Sequence, residues 1–124
     1  MREAFWVLAR SFRFAVAGII HSLRTEQNLR IHTGAGLLAV ALGFTLGISR
    51  AEWCAILLAI GLVWTAELLN TALERLGDAV TLEPQEQIRH AKDAAAGAVL
   101  AASIAAAAVG AVVFVPRLWS VVMP

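Results

Sequence analysis

A chain of 124 residues that is 60% hydrophobic and only 15% charged has too few charges to cover the surface of a soluble monomer. Ten basic residues against nine acidic ones leave a formal net charge of +1, so nucleic acid, which asks for a basic stripe, is not an expected partner. The length allows one domain, and the single cysteine, Cys54, excludes an internal disulfide and a cysteine-rich metal site. Cys54 lies in an apolar run and reads as a small buried or lipid-facing filler.

Phe5, Leu8, Phe12, Ala15, Ile19 and Leu23 recur at helical spacing, while Arg10, Arg13, His21 and Arg24 interrupt the other faces. Residues 1–30 are therefore expected as an amphipathic helix lying in the membrane interface. Arg10 and Arg13 also break the first apolar stretch, which argues against a cleavable signal peptide. Three uncharged stretches follow: Thr33 to Ser49, Trp53 to Ala66 and Ala94 to Val115. Crossing a hydrocarbon core of ~30 Å takes about 20 helical residues. The third stretch meets that length directly. The first needs a few flanking residues, and the second takes Glu67 and Asn70 into or near the bilayer.

The expected architecture is an all-α membrane protein of one domain, with membrane helices over roughly 31–49, 52–75 and 92–116. The short connection Ser49-Arg50-Ala51-Glu52 makes the first two spans antiparallel neighbours. Arg2, Arg10, Arg13, Arg24, Arg30, Arg75, Arg89 and Lys92 fall on one side, with only Arg50 and Arg117 on the other. That asymmetry puts the N-terminus in the cytoplasm, with Trp53 and Trp119 as interfacial anchors on the far side. Gly34, Gly36, Gly43, Gly47 and the Ala-dense third span offer small faces for close helix packing, and so for a homo-oligomer.

The second span ends in Glu67-Leu-Leu-Asn70-Thr-Ala-Leu-Glu74-Arg-Leu-Gly-Asp78. At about 100° per residue, Glu67, Asn70, Glu74 and Asp78 share roughly an 80° arc. Carboxylates so close repel one another and are costly beside hydrocarbon, so a bound cation is the simplest compensation. Asp78 alone reads as part of a solvated, arginine-paired face; Glu67, after fourteen uncharged residues, does not. Glu26, Asn28, Arg30 and His32 stand just before the first span, and His90, Lys92 and Asp93 just before the third. An all-oxygen set of this kind suits Mg²⁺ with substrate phosphates, and Lys92 suits a phosphate oxygen. No His/Cys spacing supports zinc, and no GxxxxGK[ST] loop is present.

The Glu67–Asp78 motif, followed by Ala91-Lys92-Asp93-Ala-Ala-Ala-Gly-Ala98-Val99, resembles the bacterial diacylglycerol kinase family over nearly the whole chain. The resemblance implies a homotrimeric lipid kinase of the bacterial cytoplasmic membrane, with active sites shared between subunits, that moves the γ-phosphate of ATP with Mg²⁺ to a lipid hydroxyl. By position, Glu67 corresponds to the catalytic base, and Glu26 and Glu74 to the metal ligands. Lys92, Asp93 and the turn Glu83-Pro84-Gln85 correspond to nucleotide contacts, together with Glu26 and Glu74. Asn28, Arg30, Glu67, Asn70 and Ala96 correspond to the lipid site. Phe14 falls where the diacylglycerol branch carries a nucleotide-contacting Tyr, and this chain has no Tyr.

Phe12-Arg13-Phe14-Ala15-x-x-Gly18 and Asn28-Leu29-Arg30-Ile31-His32 are more similar to the undecaprenol kinase branch, since the diacylglycerol branch tends to carry Gln-Glu at the Ile31-His32 position. Undecaprenol is the favoured substrate and diacylglycerol the runner-up. His32 also reads as an interfacial residue reaching for water. From another class, a small cation transporter or channel subunit would need its acids near mid-bilayer. A membrane scaffold would not require four polar groups on one arc.

Overall fold

The computed structural model describes residues 2–81, 83 and 85–123 and is helical throughout: α1 (Arg2–Thr25), α2 (Gln27–Leu46), α3 (Arg50–Val80) and α4 (Glu86–Val122). The last three are long and apolar enough to cross a membrane. Four helices, three of them long enough to span, agree with the all-α expectation, but the first break falls at Glu26 and not near residue 30, because Glu26 takes an extended backbone. The most extensive packing joins α3 to α4, with α2 laid against α3.

Local chemistry sets the breaks. Between α1 and α2 a single residue, Glu26, adopts an extended backbone. Its N–H still donates to the Ser22 carbonyl, so the chain turns with little loss of hydrogen bonding. At the other end of α2, Gly47 takes the left-handed conformation at φ 61°, which a residue without Cβ adopts freely. Two residues later Ser49 opens α3 with a reciprocal capping box. The Glu52 N–H donates to Ser49 Oγ, and the Ser49 N–H donates to Glu52 Oε2 at 2.7 Å.

Helix length decides where the polar residues fall. At 1.5 Å per residue the 31 residues of α3 extend about 46 Å, beyond a core of about 30 Å. Counted from the Arg50 end, about 20 residues fill the hydrocarbon, which brings Glu67 and Asn70 to its opposite edge. The 37-residue α4 exceeds the core in the same way and carries Pro116 inside its last turns.

The two ends of the bundle are built differently. Near the α2–α3 connection, Ile48, Ile56, Val113 and Phe114 form a buried apolar cluster, flanked by Leu42, Trp53 and Ile60. Glu52 also reaches across to α4, where Arg117 Nη2 donates to its Oε2 at 2.8 Å and Nη1 pairs with Oε1. This fork joins the start of α3 to the end of α4. Most large apolar side chains elsewhere remain exposed, including Phe44, Leu58, Leu100, Ile104 and Val112. A lone protomer in water would not tolerate that surface, whereas lipid or neighbouring helices do.

Trp53, half-buried near the start of α3, packs against the core cluster and the Phe44 ring, centroids 4.8 Å apart. Gly43 makes room for it: a Cβ there would lie 2.8 Å from Trp53 Cη2 and 3.0 Å from Ile48 Cδ1. Phe44 and Ile48 hold the indole, so it has no easy retreat. Gly43→Ala is expected to lower the unfolding free energy in detergent by about 1–3 kcal/mol, the range for overpacking a filled core. Thermal or denaturant unfolding of the two proteins in the same micelle checks this.

Candidate functional site

At the end away from the apolar cluster, the break at Glu26 lies beside the polar stretch of α3. A cavity of about 310 Å³ opens between them, lined by Thr25, Glu26, Gln27, Asn28, Glu67, Asn70, Thr71 and Glu74. Three of the four polar residues expected on one arc of α3 face this space. The fourth, Asp78, lies beyond it and pairs with Lys92 of α4.

Burial is uneven inside the cavity. Glu67 is only 2% exposed, and Asn70 and Thr71 are buried beside it. Asn70 Nδ2 donates to Glu74 Oε1 at 2.9 Å, leaving Asn70 Oδ1 buried without a partner. Glu67 Oε1 is also buried without a hydrogen bond; the nearest basic side chain is His32, with Nε2 at 3.2 Å, a contact without hydrogen-bond alignment. A buried acceptor left unpaired costs about 1–3 kcal/mol. Two of them in one cavity mark a place built to receive a donor or a cation.

Glu26 is more exposed and is held from α3. Arg75 Nη2 donates to Glu26 Oε1 and to Thr25 Oγ1, both at 2.7 Å, and Thr25 Oγ1 donates to Glu26 Oε1 at 2.9 Å. The Arg75 bond, then the Thr25 bond, hold the Glu26 carboxyl below its ordinary value of 4.5. Sequence spacing did not single out Arg75. It follows Glu74 in the chain, and only the packing of the α1–α2 break onto α3 brings it to Glu26.

The remaining expected site residues lie outside this cavity. Phe14 and Arg75 line a separate groove between α1 and α3. Arg30 and Ala96 are exposed. Lys92 is half-buried over Gly77, where an added Cβ would lie 2.9 Å from Lys92 Cε. Asp93 pairs with Arg89 one turn earlier on α4. Glu83 is exposed, with its N–H donating to Thr81 Oγ1, and Gln85 is the N-cap of α4. Pro84 lies outside the described residues.

Among the described residues no three His, Cys, Asp or Glu side chains converge as a metal cage. The oxygen donors of Glu26, Glu74 and Asn70 at one cavity nonetheless suit Mg²⁺, which takes one or two carboxylates and fills its shell with water and phosphate oxygens.

The profile of the prokaryotic diacylglycerol kinase family matches residues 13–114, which include every residue of the cavity. The chain is 38% identical over 109 residues to an undecaprenol kinase of Bacillus subtilis (strain 168), covering 88% of this chain and 89% of that one. It is 37% identical over 128 residues to a diacylglycerol kinase of Synechocystis sp. (strain ATCC 27184 / PCC 6803 / Kazusa), covering 99% of this chain and 73% of that one.

The geometry at Glu26 sets a pH dependence. A carboxyl lowered by folding stabilises the folded state above its unfolded value, and that contribution disappears as pH falls through the lower folded value. In metal-free buffer, Arg75→Ala is expected to move the Glu26 carboxyl up toward 4.5, read by carbonyl NMR. The thermal-stability advantage of the unmodified chain over the variant is expected to be present at neutral pH and to shrink as pH falls below the ordinary carboxyl value of 4.5.

Proposed function

Because the chain belongs to the prokaryotic diacylglycerol kinase family, and is a multi-pass membrane lipid kinase with ATP as phosphoryl donor, we propose that it phosphorylates undecaprenol at the cytoplasmic edge of the bacterial inner membrane. The observation that carries this reading is the pair of buried, unpartnered acceptors, Glu67 Oε1 and Asn70 Oδ1, where α3 reaches the membrane edge. A lipid hydroxyl held at the headgroup level supplies the missing donor.

Phosphoryl transfer asks for an aligned nucleophile and for charge neutralised on phosphate oxygens. Glu67, withdrawn from water, is the base in this reading. The lipid oxygen bonds to the γ-phosphorus, its proton passes to Glu67, and the bond to the β,γ-bridging oxygen breaks to release ADP. Glu26 and Glu74 would hold Mg²⁺, which when bound supplies positive charge to the phosphates. Asn28, Asn70, Arg30 and Ala96 are assigned to the lipid. Phe14, Glu83, Pro84, Gln85, Lys92 and Asp93 are assigned to the nucleotide, with Glu26 and Glu74.

Lys92 and Asp93 do not line the Glu67 cavity of their own protomer, which supports a homotrimer with sites shared between subunits. The basic-residue asymmetry supports a cytoplasmic N-terminus with α1 in the interface. Undecaprenol is favoured by the Ile31-His32 pair and the absence of Tyr. Diacylglycerol is the second reading, favoured by the similarity to the Synechocystis kinase.

Mixed micelles with labelled ATP, Mg²⁺ and either lipid test both readings: label is expected on undecaprenol in preference to diacylglycerol, and label on neither refutes the kinase assignment. Glu67→Gln is expected to keep assembly and nucleotide binding while turnover falls about 10²–10⁴-fold, the range for losing a general base. Near-normal turnover would remove Glu67 from that role.

A further inference from the structure

His32 sits between two spaces. On one side is Glu67 of the polar cavity, whose side chain is 3% exposed; on the other is an apolar groove of about 250 Å³ between α2, α3 and α4. That groove is lined by His32, Gly36, Ile60, Val63, Ser103 and Gly110, among others, so one edge of the imidazole rests against hydrocarbon-like surface. The ring is itself only 26% exposed, and its Nε2 lies 3.2 Å from Glu67 Oε1. Oε1 is otherwise without a partner. A carboxylate in this position needs its orientation fixed if one oxygen is to meet an incoming hydroxyl, and nothing on α3 supplies a donor to it.

We propose that His32 is a positioning residue for Glu67: its Nε2–H holds Oε1 and thereby directs the other carboxylate oxygen toward the lipid hydroxyl. The inference rests on the assignment of Glu67 as base. The contact is loose without substrate, as such bonds commonly are, and closes when the hydroxyl arrives. The imidazole also screens the carboxylate from the apolar groove. After proton transfer the neutral carboxylic acid keeps the same Nε2–H···Oε1 bond, so the residue need not move during turnover. Glu26 and Glu74 are the other charged groups near Glu67, and both are acceptors. Among these groups His32 is the one that can donate, and its Nε2 already lies 3.2 Å from Oε1.

The test uses the full chain in lipid–detergent micelles, comparing His32→Ala and His32→Gln with the unmodified protein. His32→Ala is expected to lower kcat about 10²-fold, the lower bound for general-base catalysis, with the KM for ATP unchanged. Added imidazole is expected to recover part of that loss as its concentration rises. His32→Gln, which offers an N–H at the place of Nε2, is expected to stay within a few-fold of the unmodified kcat. A merely structural histidine would give two variants equally impaired and indifferent to imidazole, and that result overturns the proposal. So does an unimpaired kcat in His32→Ala. Glu67→Gln measured in parallel separates the two assignments. If that variant turns over normally, the base assignment fails. If it is inactive while His32→Ala is unimpaired, only the role of His32 fails.

Discussion

Glu67 is a carboxylate placed one turn before Asn70 and two before Glu74, at a depth where water no longer solvates it. Removing a carboxylate from water costs several kcal/mol unless something compensates. Here the compensation from within the protomer is partial: an imidazole at 3.2 Å and no hydrogen bond to Oε1. The surrounding architecture follows from that constraint. The length of α3 delivers Glu67 to the membrane edge, the break at Glu26 brings a second carboxylate alongside, and Asn70 and Glu74 tie the next turn together. An assembly that leaves such a group underserved is prepared for a ligand rather than for stability.

Stability comes from the opposite end. The Ile48–Ile56–Val113–Phe114 cluster, the indole packed on Gly43 and the Glu52–Arg117 fork fasten α2, α3 and α4 where no expected site residue lies. Packing and ion pairing are thus concentrated near the connection between the first two membrane helices. The polar end is held by bonds at its edge, chiefly Arg75 to Glu26 and Thr25. A division of this kind lets substrates enter the polar end without disturbing the packed core.

The placement also suits the reaction of a lipid kinase. A lipid alcohol cannot leave the bilayer and ATP cannot enter it, so their reacting atoms meet only where the headgroups lie. The length of α3 carries the cavity toward that level, with one acid from the α1–α2 break and two from α3. In one protomer Lys92 is engaged by Asp78 and Asp93 by Arg89, both outside the cavity.

Much of this was legible in the chain. Uncharged stretches of membrane-spanning length fixed the three long helices, because a backbone in lipid has to satisfy its own hydrogen bonds. The spacing of Glu67, Asn70 and Glu74 fixed one polar face, because a helix repeats every 3.6 residues. The motif around them identified the family. Contacts across large separations were not legible. Arg75 meets Glu26 across 49 positions and Glu52 meets Arg117 across 65, and no periodicity encodes such pairs. That Gly43 leaves room for the Trp53 ring was equally hidden in the chain. Nor could the chain alone show that packing of α2 on α3 sets His32 beside Glu67. Local pattern determines which residues share a helix face; only the packing of one helix on another decides what that face meets.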